Sequence, residues 1–144
     1  MKVLSVFAVV LLLTGCGGGG GSTSAAPPVA PTTAPAATIA GNYSGAITDQ
    51  IAGAGTVTLT LIQNGTAVAG TWASKFANAG FNNSGAVSGN TNGSQLGVNL
   101  TPSDPRACPF AVAAIVNGGS ITGTYAVYNC PGVTDGGSVN VTKQ

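Results

Sequence analysis

Histidine is absent from this chain. Charge of either sign is scarce, with 4 Lys plus Arg against 3 acidic side chains in 144 residues. Each shortage excludes something. Without an imidazole there is no His to activate a Cys or Ser nucleophile, and none to ligate a metal. With so few cations there is no basic patch for nucleic acid. The acids are Asp49, Asp104 and Asp135. Each falls at an expected loop or strand end, where an Asp side chain ordinarily closes a turn. Nothing in their spacing pairs two of them for glycoside hydrolysis. No ten-residue stretch carries the apolar period of a helix. The glycine pairs therefore read as hairpin turns rather than phosphate cradles, which need a following helix N-terminus. The expectation is a protein with no catalytic residue, no metal site and no cofactor, and not an enzyme. Near-zero net charge promotes association, which argues against a freely diffusing carrier.

Long apolar runs are missing too, with one short exception. Lys2 is followed by an almost wholly apolar segment from Val3 to Leu13. That is the length of a signal-peptide core, and too short for a span of roughly 20 residues. It ends in Leu13-Thr14-Gly15-Cys16, which resembles the lipobox of bacterial lipoproteins. The resemblance implies cleavage before Cys16, a diacylglyceryl group on its thiol and a further acyl chain such as palmitate on the new amino group. Each buried methylene contributes about 0.8 kcal/mol, so two or three chains anchor a protein stably. The implied location is the cell envelope, lipid-anchored. Gly17 after the cysteine, rather than Asp, implies the outer membrane. Five glycines and a Pro/Ala/Thr tract follow, up to Ala40, a composition without the apolar bulk for a core. The chain thus divides into a signal peptide (1–15), a lipidated flexible linker (16–40) and one domain (41–144).

That domain reads as strands throughout. In "GTVTLTLIQ" Thr alternates with Val57, Leu59 and Leu61, and Asn64-Gly65 then leads into "TAVAGTWA". Asn-Gly between alternating runs is the strongest short-range hairpin signal. A turn centred on Asn64-Gly65 sets Val57 opposite Trp72 and Leu59 opposite Gly70. The apolar residues then share one face and Thr56, Thr58, Thr60 and Thr71 the other. The segment "NGTAVAGTW" aligns without gaps on "NGGSITGTY", 53 residues later. The second hairpin turns at Asn117-Gly118 or at Gly118-Gly119, and either choice leaves its faces unchanged. A third hairpin lies around Asn90-Thr91-Asn92-Gly93. With an opening and a closing strand this makes eight short strands, an all-β antiparallel up-and-down meander. It is expected to close as a small barrel, since closure removes exposed edges; a sandwich is the alternative.

Gly41-Asn42-Tyr43 resembles the Gly-x-Trp opening of the lipocalin and calycin barrels, with Tyr in place of Trp. The strand endings Gly70-Thr71-Trp72 and Gly123-Thr124-Tyr125 resemble those of small lipoproteins of this barrel type. The only arginine, Arg106, is not placed like the arginine that caps a lipocalin barrel. With Cys16 assigned to lipid and the domain exported, Cys108 and Cys130 are expected to form a disulfide. The hairpin register supports this by placing residue 108 opposite 127 or 129. Tyr43, Leu59, Gly70, Trp72, Phe110 and Tyr125 are candidates to line the interior or a ligand. Eight strands leave an interior just wide enough for side chains, so a filled barrel is expected, with large residues facing small ones. Function then falls to the Asn/Ser/Thr-rich surface or to the loops around 74–83 and 102–109. Two roles compete. One is a non-enzymatic envelope lipoprotein, structural or protein-binding, with an envelope protein as partner. The other is a lipocalin-like binder of a small apolar ligand. Membrane contact is through the lipid anchor in both.

Overall fold

A computed structural model describes residues 38–144. The chain forms eight strands: β1 (Gly41–Asp49), β2 (Gly53–Asn64), β3 (Ala67–Phe76), β4 (Asn83–Thr91), β5 (Gln95–Pro102), β6 (Phe110–Asn117), β7 (Ser120–Val127) and β8 (Gly136–Lys143). One 3₁₀ turn, Ala79–Phe81, interrupts the β3–β4 connection. Each strand pairs antiparallel with the next, and β8 closes on β1 through pairs such as Gly45↔Val141 and Ile47↔Val139. The result is the closed meander expected from the alternation, not a sandwich. Every ladder is internal, so no sheet edge is left unpaired.

The alternation sorts the side chains as the pattern dictates. Val57, Leu61, Val68, Val87, Leu96, Ile121, Val139 and Val141 point inward and are buried. Thr56, Thr58, Thr60 and Thr71 stand exposed on the outer wall. Ile39 is the most informative core member. It lies in the stretch read as linker, yet it is 1% exposed. Its N–H donates to Gln63 Oε1 at 2.8 Å and its carbonyl accepts from Tyr43 Oη at 2.9 Å. The packed unit therefore includes Ile39 as well as the strands.

The first long hairpin differs in register from the Asn64-Gly65 expectation. Leu59, not Val57, faces Trp72, and Leu61 faces Gly70. The turn residues are Gly65 and Thr66. Gly65 adopts φ +61°, which suits a two-residue turn with glycine at its first central position. A slip of two residues preserves the faces, which is why the burial pattern survives the error. The second hairpin resolves to Gly118-Gly119, with Gly118 at φ +59°. It pairs Val112 with Tyr125 and Ala114 with Gly123. The two hairpins thus share one register across the 53-residue offset.

Gly70 and Gly123 need a second correction. The filled-barrel expectation makes each a small residue facing large ones across the interior. A Cβ on Gly70 would instead land on the carbonyl oxygen of Thr60, and one on Gly123 on that of Ala113. The backbone of the adjacent strand, drawn close where the small barrel coils, is what demands glycine there.

The connections 65–66, 92–94 and 118–119 lie at one end of the barrel. At 92–94 the turn is fixed by Asn92, whose Oδ1 accepts from the N–H groups of Ser94 and Gln95 at 3.1 and 2.7 Å. The opposite end carries the connection 50–52 and the three longer ones, 77–82, 103–109 and 128–135.

Candidate functional site

The longer connections frame a cup of about 250 Å³ at their end of the barrel. The interior beneath it is closed. A void of only about 30 Å³ remains there, lined by aliphatic residues such as Val57, Leu59, Leu61, Val87 and Val139. The expectation of a filled barrel therefore holds below Trp72 and Tyr125 and fails above them. Strand alternation can fill a cylinder, but where the ladders end the loops must roof it. These loops stand around the opening rather than over it.

Local chemistry shapes each loop. In 77–82, Asn78 Oδ1 accepts from Gly80 N at 3.0 Å and Asn82 Oδ1 from Phe76 N at 2.8 Å. This holds the 3₁₀ turn that sets Phe81 on the wall, 43% exposed. In 103–109, Asp104-Pro105-Arg106-Ala107 forms a turn closed by Ala107 N donating to Asp104 O at 3.0 Å, with Asp and Pro at their favoured positions. In 128–135, Cys130-Pro131-Gly132-Val133 is closed by Val133 N donating to Cys130 O at 3.2 Å. Gly132 takes φ +78° there, as a type II turn requires. Cys108 and Cys130 are joined, with Cα atoms 5.7 Å apart. The bond sits beyond the β6–β7 ladder and ties two of the three longer loops together.

The wall is aromatic. Phe110 meets Trp72 edge-to-face with centroids 6.2 Å apart and Tyr125 likewise at 5.6 Å. Such pairs contribute about 0.5–1.5 kcal/mol each beyond burial. Phe76 and Phe81 complete the wall. Trp72 is 5% exposed, and its Nε1–H has no acceptor among the described residues. A buried donor left without a partner costs about 1–3 kcal/mol.

The rim carries two acids. Asp49, buried at the end of β1, accepts from Ile51 N and Ala52 N at 2.9 and 2.7 Å on Oδ1. Its Oδ2 accepts from the Tyr125 hydroxyl at 2.7 Å. Burial pushes the Tyr125 phenol well above its ordinary value, and its bond to Asp49 and the charges of Asp49 and Asp135 push the same way. Asp135 Oδ1 accepts from Gly136 N at 2.7 Å. Burial raises the Asp135 carboxyl above the usual carboxylate range, against the lowering effect of that hydrogen bond, and the charge of Asp49 adds to the rise. Asp104 stands apart. It closes its own turn and pairs with Arg106 at 3.5 Å, both side chains largely exposed, an arrangement that contributes little to stability.

Of the candidate lining residues, Trp72, Phe110 and Tyr125 meet in the cup. Leu59 borders the small void below. Gly70 lies on the inner face of β3, outside the cup, and Tyr43 serves Ile39 in the core. Cys16 lies outside the described residues. Both stretches singled out in the sequence, 74–83 and 102–109, contribute to the wall, through Ser74, Phe76, Phe81, Ala107 and Cys108 among others. The Asp49–Tyr125 bond and the meeting of Asp49 with Asp135 at one rim were not foreseen. Their only local trace is an acid at the end of a strand. Among the described residues no cluster of three or more His, Cys, Asp or Glu side chains is placed to hold a metal. No protein-family model matches the chain, and no curated protein does.

Proposed function

We propose that this chain is a lipid-anchored envelope protein, non-enzymatic, that holds a small, largely apolar molecule in the cup of its barrel. The observation that carries the reading is a contrast within one barrel: a nearly closed aliphatic interior of about 30 Å³ beneath an aromatic recess of about 250 Å³. That recess lies just below the range of about 300–1,000 Å³ usual for small-molecule sites. It suits a ring-sized ligand and not a fatty acid or a tetrapyrrole. The lipobox-like Leu13–Cys16 supports the anchor. The engagement of Asp49 by three donors supports a binding role over a catalytic one. A structural or protein-binding role for the outer wall is the second reading. It is favoured by Ile62 and Ile115, 63% and 61% exposed on a wall made mostly of Thr, Ser, Ala and Asn.

Trp72 is the chain's only tryptophan, so its emission reports on the cup. The full chain is titrated with 2-phenylethanol, palmitate and retinol. Saturable one-to-one binding of the alcohol alone, weakened by Phe81→Leu, is expected. Saturable binding of palmitate or retinol overturns the cup in favour of a hollow carrier. No response to any of the three overturns it in favour of the outer wall.

A further inference from the structure

We infer that the cup selects a small organic cation: an amine whose ammonium meets the Asp49–Asp135 rim while its apolar body lies against the aromatic wall. The inference rests on the binding reading above and specifies its ligand class.

Charge supports it first. Asp49 and Asp135 are the charged side chains that line the cup, and no Lys or Arg lines it. Lys75 and Arg106, adjacent in sequence to lining positions, are both exposed, and Arg106 is engaged with Asp104. Two acids with no cation among them, in a recess with low-dielectric walls, concentrate a negative potential there.

Unused hydrogen-bonding capacity supports it next. Asp135 receives one backbone N–H on Oδ1, and among the described residues no donor reaches its Oδ2. The ammonium N–H groups of an amine supply that donor. Burial and the neighbouring Asp49 charge both hold the Asp135 carboxyl above its ordinary range, and a bound cation opposes both effects. The remaining titratable group in the lining, the Tyr125 phenol, is kept neutral and already donates to Asp49; Cys108 is in its disulfide.

The wall supplies the third argument. Aromatic faces attract cations through the ring quadrupole, most strongly for Trp and when the site is desolvated. Trp72, Phe76, Phe81 and Phe110 all line this one recess.

Three probes of one shape separate charge from shape: phenethylammonium, 2-phenylethanol and phenylacetate, each titrated into the full chain while Trp72 emission is followed. The ammonium is expected to bind roughly tenfold more tightly than the alcohol, and the carboxylate most weakly. Asp135→Asn retains an acceptor for Gly136 N. It is expected to abolish the tenfold preference of ammonium over alcohol, and an unchanged far-ultraviolet strand signature shows that the variant is folded. Equal binding of ammonium and alcohol, or a preference that survives Asp135→Asn, overturns the charge assignment and leaves the cup as a binding site. Binding of none of the three overturns both.

Discussion

Replacing Tyr125 by Phe removes one oxygen and tests the long-range contact on which the rim depends. The ring stays, with its edge-to-face contact to Phe110 at 5.6 Å. What goes is the hydroxyl that donates to Asp49 Oδ2 at 2.7 Å. A hydrogen bond to a charged group contributes about 1.5–3 kcal/mol, and a buried acceptor left unpaired costs in the same range. Asp49 is 8% exposed and retains two backbone donors on its other oxygen, so the loss is placed at about 2 kcal/mol. For a domain of this size that corresponds to roughly 8–16 °C in melting temperature. Urea denaturation at pH 7 measures it, with Tyr43→Phe as the comparison. Tyr43 donates to a neutral carbonyl, that of Ile39, so its loss is expected nearer 1 kcal/mol. A double-mutant cycle with Asp49→Asn isolates the pair. A Tyr125→Phe cost within 0.5 kcal/mol of zero, or a coupling of that size, refutes the claim that this bond holds β1 to β7 at the rim.

The remaining predictions concern charge, crosslink and anchor. Because Asp135 has its folded pKa raised above the ordinary 3.8, the folded state binds more protons than the unfolded one just above that value. Its stability contribution therefore falls as pH rises through the folded pKa. Asp135→Asn is expected to stabilise the protein at pH 7 and to lose that advantage at pH 3; urea melts at both values check it, and equal effects at the two refute it. The Cys108–Cys130 bond spans a separation of 22 residues, for which chain entropy predicts about 3 kcal/mol. The double Ala variant should lose that much in urea while keeping the far-ultraviolet strand signature, and a loss under 1 kcal/mol argues against the estimate. Cys16→Ser is expected to release the protein from membranes, or to leave its signal uncleaved; an unmodified Cys16 in the mature membrane-bound protein, seen by mass spectrometry, contradicts the anchor.

The sequence by itself determined what is local. Period-two alternation in "GTVTLTLIQ" fixes which side chains share a face, whatever the register. Glycine at 65 and 118 fixes where two hairpins reverse, although the choice of turn residues at the first was off by one position and its pairing by two residues. Two cysteines left in a domain read as exported, and set near one another by the hairpin register, were enough to read their bond. Closure was legible as a consequence of eight short strands that need to hide their edges. Only the tertiary structure decided the rest. Asp49 and Tyr125 are 76 residues apart, and they meet because β8 closes on β1 and brings β7 to within one strand of it. No local pattern encodes that distance. Glycine at 70 and 123 reads in sequence as a small inward residue, but its need comes from a carbonyl on the neighbouring strand. Ile39 lies in a tract whose composition reads as linker, yet its side chain packs in the core while Gln63 and Tyr43 bond its backbone. The cup, too, is a tertiary product. Alternation fills the interior as far as the ladders run, and the space beyond them depends on how three loops and one disulfide stand around the opening.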